Sequence, residues 1–338
     1  MSAPVATQTD ALPQARIDFV PVALVVAIAL GAFALIGSPS TWVTLTVAGL
    51  AMGLLIFIMA SGLTLVFGLM DVMNFAHGLF IAIGAYVAVS VIKLFGASAG
   101  ADSFAANLAA IVPALAAAVV AAGLLGLFFE RVIIRPVYGQ HLKQILITTG
   151  GMIVAEQLIH VLWGPDQLSL LRPPTLRGSF LIGDIALEKF RLAAVVIGLA
   201  VFVALVLLLN RTKIGLLIRA GVENKEMVEA MGYRIRRLFV AVFVAGAALA
   251  GLGGALWGMY QESVTVLIGA QMMVLIFIVI IIGGLGSVGG CFVGALLVGL
   301  VANYVGYLSP KIALGSNILL MVVILLWRPQ GLYPMSKQ

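Results

Sequence analysis

Ten stretches of this chain are apolar for long enough to cross, or nearly cross, a lipid bilayer, and little lies between them to face water. They cover residues 20–37, 42–68, 75–92, 108–129, 145–163, 192–210, 238–260, 272–290, 291–308 and 312–327. A spanning helix needs about 20 predominantly apolar residues. By that measure 20–37 is short, and 272–290 and 291–308 are fused without a polar loop, so eight full spans plus re-entrant pieces fit almost as well as ten. Charged residues make up only 9% of the 338 and hydrophobic ones 63%, where a soluble domain carries about 25% charged. The expected fold class is therefore all-α, a polytopic membrane helix bundle of 8–10 segments.

The net charge of +6 does not point to nucleic acid, because of where the cations fall. Seven of the nineteen Lys and Arg residues lie between Arg211 and Arg237, flanked by apolar runs, the pattern of a cytoplasmic loop. With ten spans and both termini inside, thirteen cations fall inside and six outside, which favours N-in, C-in. The expected organisation is a cytoplasmic tail over 1–19, one transmembrane domain over 20–328 and a cytoplasmic tail over 329–338. No basic segment precedes an apolar core at the N-terminus, so the first span is expected to direct insertion itself. The lone Cys291 sits in a Gly-rich apolar run and reads as a packing residue.

Two loops are large enough to meet partners: 164–191, expected outside, and 211–237, expected inside. Within the latter, Gly221 to Gly232 reads as one short amphipathic helix. Glu223 and Glu226 stand near its start, where the helix dipole favours them, and Gly232 ends it. Met227, Val228 and Met231 form an apolar stripe at helical spacing. Such a segment either lies on the membrane surface or inserts into a groove on a cytosolic partner.

Glu229-Ala230-Met231-Gly232 resembles the glutamate-alanine-alanine-x-glycine loop of ABC importer permeases. Asn74-Phe75-Ala76-His77-Gly78, with Ile83-Gly84-Ala85-Tyr86 after it, is similar to a signature of branched-chain amino-acid permeases. Gly283-Gly284-Leu285-Gly286-Ser287 and the tail Arg328-Pro329-Gln330-Gly331-Leu332 match the same family in the same order. The resemblance implies a permease subunit for branched-chain or hydrophobic amino acids, in the bacterial inner membrane. Its implied partners are cytosolic ATPase subunits docked on the 221–232 segment through Glu223, Glu226, Met227, Glu229, Ala230 and Gly232. A second permease, more as a heterodimer than a homodimer, and a periplasmic solute-binding protein complete the set. Permeases for urea or short amides share this framework. Leu79 and Ala302 stand where many relatives carry acidic residues, which makes the route more apolar.

Polar groups at membrane depth are expensive, so each is a candidate for function. Asn74 and His77, three apart and expected on roughly one helical face, either satisfy backbone groups at a helix break or shape the solute path. Glu156 and His160 form an i, i+4 pair, expected as an ion pair facing the bundle interior. The rival reading is a proton relay in a gradient-driven secondary carrier. Asn303 either bonds across helices or lines the path. No G-x-x-x-x-G-K-[ST] loop, H-E-x-x-H motif or His/Cys grouping at metal spacing occurs. Neither a cofactor nor a catalytic metal is expected, and ATP hydrolysis is assigned to other subunits.

Overall fold

A computed structural model describes residues 18–223 and 225–333. The expected N-terminal tail thus lies mostly outside the described residues, as does the end of the C-terminal one. The apolar runs fold as α1 (Val20–Ile36), α2 (Pro39–Met70), α3 (His77–Leu94), a short α4 (Gly96–Ala99), α5 (Phe104–Phe129) and α6 (His141–Trp163). They continue as α7 (Lys189–Arg211), α10 (Ile235–Gln261), α11 (Ile268–Gly283), α12 (Val288–Leu308) and α13 (Pro310–Trp327). Two helical stretches, α8 (Lys213–Glu223) and α9 (Lys225–Ala230), lie on either side of residue 224 in the basic loop. Seven of these helices are long and apolar enough to cross a membrane; α1, α11 and the apolar part of α13 are shorter.

Each run expected from sequence has its helix, but the fused pair divides earlier than the predicted 290/291 boundary. α11 stops at Gly283, and Gly284 and Gly286 carry the chain round at φ of +98° and +83°. Ser287 then caps α12 by accepting the Gly290 amide. Three glycines with a capping serine make a turn that needs no polar composition.

Five contacts gather chain segments at one end of the bundle. Arg328 donates to the Asp18 carboxylate at 2.6 Å. The amides of Leu332 and Tyr333 donate to the carbonyls of Ile282 and Gly283 at 2.8 and 2.9 Å. Gly331 packs on Gly284, and Gly68 on Gly286. The entry to α1, the end of α2, the α11–α12 turn and the C-terminal motif therefore share this end. The contact between Asp18 and Arg328 requires an even number of traverses between them, which ten alternating helices provide.

α2 forms the centre, with α12 and α10 packed along it. Their approach is close because glycine faces backbone: a Cβ on Gly62 would lie 2.3 Å from the Gly246 carbonyl oxygen. Small residues at such crossings let backbones come together where lipid supplies no hydrophobic drive between helices. α6 and α7 are peripheral, with only 11% and 17% of their apolar windows buried, against 83% for α2. At the other end, β1 (Leu168–Ser169) pairs with β4 (Ser263–Val264), and β2 (Ser179–Ile182) with β3 (Ile185–Glu188), both antiparallel.

Candidate functional site

α3 does not begin where α2 ends. His77, its first residue, bonds through Nε2 to the carbonyl of Met59 at 3.0 Å. That carbonyl only accepts, so Nε2 carries the proton. Met59 lies eleven residues before Met70, a distance of about 16 Å along a helix. The chain leaves α2 at Asp71, in left-handed conformation at φ +51°, and runs back into the bundle through residues 72–76 before becoming helical again.

α11 also starts inside. Ile81 packs against Gly254 and Ala85 against Gly258, so α3 and α10 run side by side in one direction. Gly269, in the first turn of α11, meets Gly78: a Cβ on Gly78 would stand 2.7 Å from the Gly269 carbonyl oxygen. α11 thus begins well short of the level at which α10 ends, and it leaves toward Gly283 while α3 leaves the opposite way. Two broken helices therefore meet first turn to first turn inside the bundle. Each helix N-terminus carries roughly half a positive charge, and discontinuous helices of this kind mark solute sites in transporters.

Non-helical backbone at this depth needs partners for its amides. Gln144 Oε1 accepts the Met73 amide and Thr148 Oγ1 the Phe75 amide, each at 3.2 Å. Both side chains come from the buried stripe of α6, and Gln144 Nε2 donates on to the Val137 carbonyl. Asn74 Oδ1 accepts the Ala76 amide at 3.1 Å. Its Nδ2 is buried with no partner, the residue being 2% exposed. The Phe75 ring stacks at a tilt on Phe277 of α11. Toward the surface, α11 presents Gln271 and Val274, which are exposed, as is Leu267 just before it.

Comparison with known proteins places the chain in a family. The family described as "Branched-chain amino acid transport system / permease component" matches residues 45–327. The chain belongs to that family. It is 30% identical to the high-affinity branched-chain amino acid transport system permease protein BraD of Pseudomonas aeruginosa, over 85% of this chain and 94% of that protein. It is 27% identical to LivH of Escherichia coli K12 over 84% of this chain and 92% of LivH. It is also 27% identical to LivM of the same organism, over 87% of this chain and 71% of LivM. No solved structure matches. The protein is a multi-pass permease component, a transport subunit rather than an enzyme.

Within this permease, the sequence-predicted residues do not gather at one place. Asn74 and His77 do not share a helical face: Asn74 lies in the re-entrant turn and His77 opens α3. Both satisfy backbone groups at the helix break, one of the two roles expected of them. Asn303 donates to the Gly299 carbonyl at 2.9 Å and contacts Met52 Sδ at 3.4 Å, tying α12 to α2. Glu156 and His160 form no ion pair, which corrects the expected interior pair. α6 turns Gln144, Thr148 and Ile159 inward on a helical stripe, and Glu156 and His160 stand half-buried at its edge. Sequence reasoning passed over Gln144, Thr148 and Gln271. The i, i+4 spacing of Gln144 and Thr148 at the mouth of an apolar run was the available signal.

The segment expected as a helix over 221–232 is helical on both sides of residue 224, which lies outside the described residues. Helicity begins at Lys213, earlier than expected, and the described helical residues are Lys213–Glu223 and Lys225–Ala230. Gly232 ends the segment as expected, at φ +86° with its amide on the Glu229 carbonyl at 2.9 Å. The expected apolar stripe splits: Val228 is fully buried, whereas Met227 and Met231 point outward with Glu226, Glu229 and Ala230. The side chain of Glu223 lies outside the described set.

At the opposite end, Arg172 clamps the 164–191 loop onto α10. Its Nε and Nη2 donate to the Met259 and Tyr260 carbonyls at 2.8 and 2.6 Å. Its Nη1 pairs with Glu188, and Glu262 lies 3.4 Å from Nε. A cation on the last carbonyls of a helix satisfies groups that the helix leaves open.

Proposed function

We propose that this permease imports branched-chain or similarly hydrophobic amino acids, and that the solute carboxylate is recognised where α3 and α11 meet. The observation that carries this reading is the pair of opposed helix starts beside the unpartnered Asn74 Nδ2. Helix N-termini and a spare amide donor are complementary to a carboxylate. Apolar side chains from α2, α3 and α11 around it suit an aliphatic solute better than urea or a short amide. The names of the relatives BraD and LivH, both branched-chain amino acid permeases, support the same choice.

In this conformation Gly78 and Gly269 are in backbone contact, so the meeting point is shut. Transport then requires α11 to part from α3. Gln271, polar on an exposed face of α11, is assigned to the route, which a second and different permease of the LivM kind would close from the other side. ATPase subunits dock on the face of α9 carrying Glu226, Met227, Glu229 and Ala230. The basic end of the bundle is cytoplasmic, with both termini inside, in a bacterial inner membrane. A solute-binding protein delivers solute to the 164–191 loop.

The test is uptake of labelled leucine by proteoliposomes holding the complete complex. Uptake that requires ATP and competes with isoleucine and valine, but not with urea, is the expected result. Uptake by this chain alone, driven by a proton gradient, would overturn the reading.

A further inference from the structure

Where α5 ends, the helix widens into a π-helical segment, Glu130–Ile134, before a 3₁₀ turn at Arg135–Val137. Such π-helical turns are rare and frequently stand at functional sites. This one lines a pocket of about 350 Å³ with the start of α10, formed by Glu130, Arg131, Arg135, Arg236, Arg237 and Val240. That volume falls within the range of ligand pockets, about 300–1,000 Å³.

Three features of the pocket point to an occupant. Its four arginines are exposed, and among the described residues none is within ion-pair distance of a carboxylate. Glu130 is 2% exposed, and its Oε2 is buried without a hydrogen-bond partner. Along α5, Val120, Leu124 and Phe128 form an exposed apolar stripe that runs at helical spacing to Arg131. An apolar rail leading to a cationic pocket at the end of a spanning helix matches a phospholipid: chain on the rail, phosphate among the guanidinium groups. A buried carboxylate beside a phosphate needs a donor, which a headgroup hydroxyl supplies.

We propose that this pocket binds an anionic phospholipid with a hydroxylated headgroup, of the phosphatidylglycerol kind. The arginines hold its phosphate, and Glu130 accepts from a headgroup hydroxyl. The site is separate from the α3–α11 meeting and does not depend on the solute.

The experiment is native mass spectrometry of the intact complex, stripped of lipid in detergent and then titrated with phosphatidylglycerol, phosphatidylcholine or inorganic phosphate. The expected result is retained phosphatidylglycerol, little phosphatidylcholine, and roughly 30-fold weaker retention in the Arg236→Gln/Arg237→Gln variant. Arg236→Lys/Arg237→Lys should retain most of the binding, and Glu130→Gln should narrow the preference between the two lipids. Equal retention of both lipids by the wild type would overturn the proposal, as would phosphate competing away the lipid at equal concentration. If the Gln variant is not obtained, the wild type decides: salt must weaken phosphatidylglycerol retention, and indifference to salt overturns the proposal. Loss of the ATPase subunits from the Gln variant with lipid retained would assign the arginines to a protein contact instead.

Discussion

Gly78 and Gly269 touch backbone to backbone, with a Cβ on Gly269 falling 2.2 Å from the Gly78 carbonyl oxygen. This contact joins the first turns of two helices that leave it in opposite directions. It is the narrowest element of the proposed gate, and no side chain fits between its halves.

Replacing Gly78 with alanine should therefore push α3 off α11. Overpacking of this kind costs about 1–3 kcal/mol. A lower melting temperature for the purified complex, together with reduced leucine uptake, is the expected outcome; unchanged values for both would contradict the contact.

Gln144→Ala removes the acceptor for the Met73 amide at membrane depth. Leaving one buried donor unsatisfied costs about 1–3 kcal/mol. Uptake should fall several-fold while the subunits still co-purify. Thr148→Val should act in the same direction on the Phe75 amide.

Glu229→Lys and Gly232→Val address the basic loop. Gly232 adopts φ +86°, so valine strains the end of α9. Both variants should insert normally yet lose solute-stimulated ATP hydrolysis. Full stimulation would remove α9 from the coupling contact.

Arg172→Met should free the 164–191 loop from α10. Two charge-assisted bonds to helix carbonyls contribute about 1.5–3 kcal/mol each. Protease applied to the purified complex should cut the loop faster in the variant, with ATP hydrolysis in detergent unaltered.

Asp18 titrates in the opposite sense from a buried acid. Its bond to Arg328 holds the carboxyl below the ordinary value, so the tie stabilises above about pH 3.9 and is lost as pH falls through the lowered value. Asp18→Asn should lower the melting temperature at neutral pH, and the gap from wild type should close in acid.

The ten helices were legible because burial in lipid demands long apolar runs, and each run has its helix. The depth at which α3 starts was not. Residues 71–77 give the same composition whether the chain turns at the membrane surface or returns into the bundle, and contacts distant in sequence such as the His77–Met59 bond distinguish them. The Glu156–His160 spacing promised an ion pair, but helical spacing fixes neither which face a helix buries nor how far two side chains reach. The loop containing Glu229 was recognised by its motif, while the burial of Val228 apart from Met227 and Met231 left no mark in the sequence pattern. Gln144 and Thr148 went unnoticed because their partners are backbone amides seventy residues away in sequence.

The most direct test of the central claim is leucine uptake by the reconstituted complex carrying Asn74→Ala, measured beside uptake of leucinamide, which has no carboxylate. The wild type should take up leucine and reject leucinamide. The variant should lose about tenfold or more of its leucine uptake, the effect of one hydrogen bond to a charged group, with assembly and basal ATP hydrolysis intact. Equal uptake of leucine and leucinamide by the wild type, or leucine uptake indifferent to Asn74, would contradict recognition of the carboxylate at the meeting of α3 and α11.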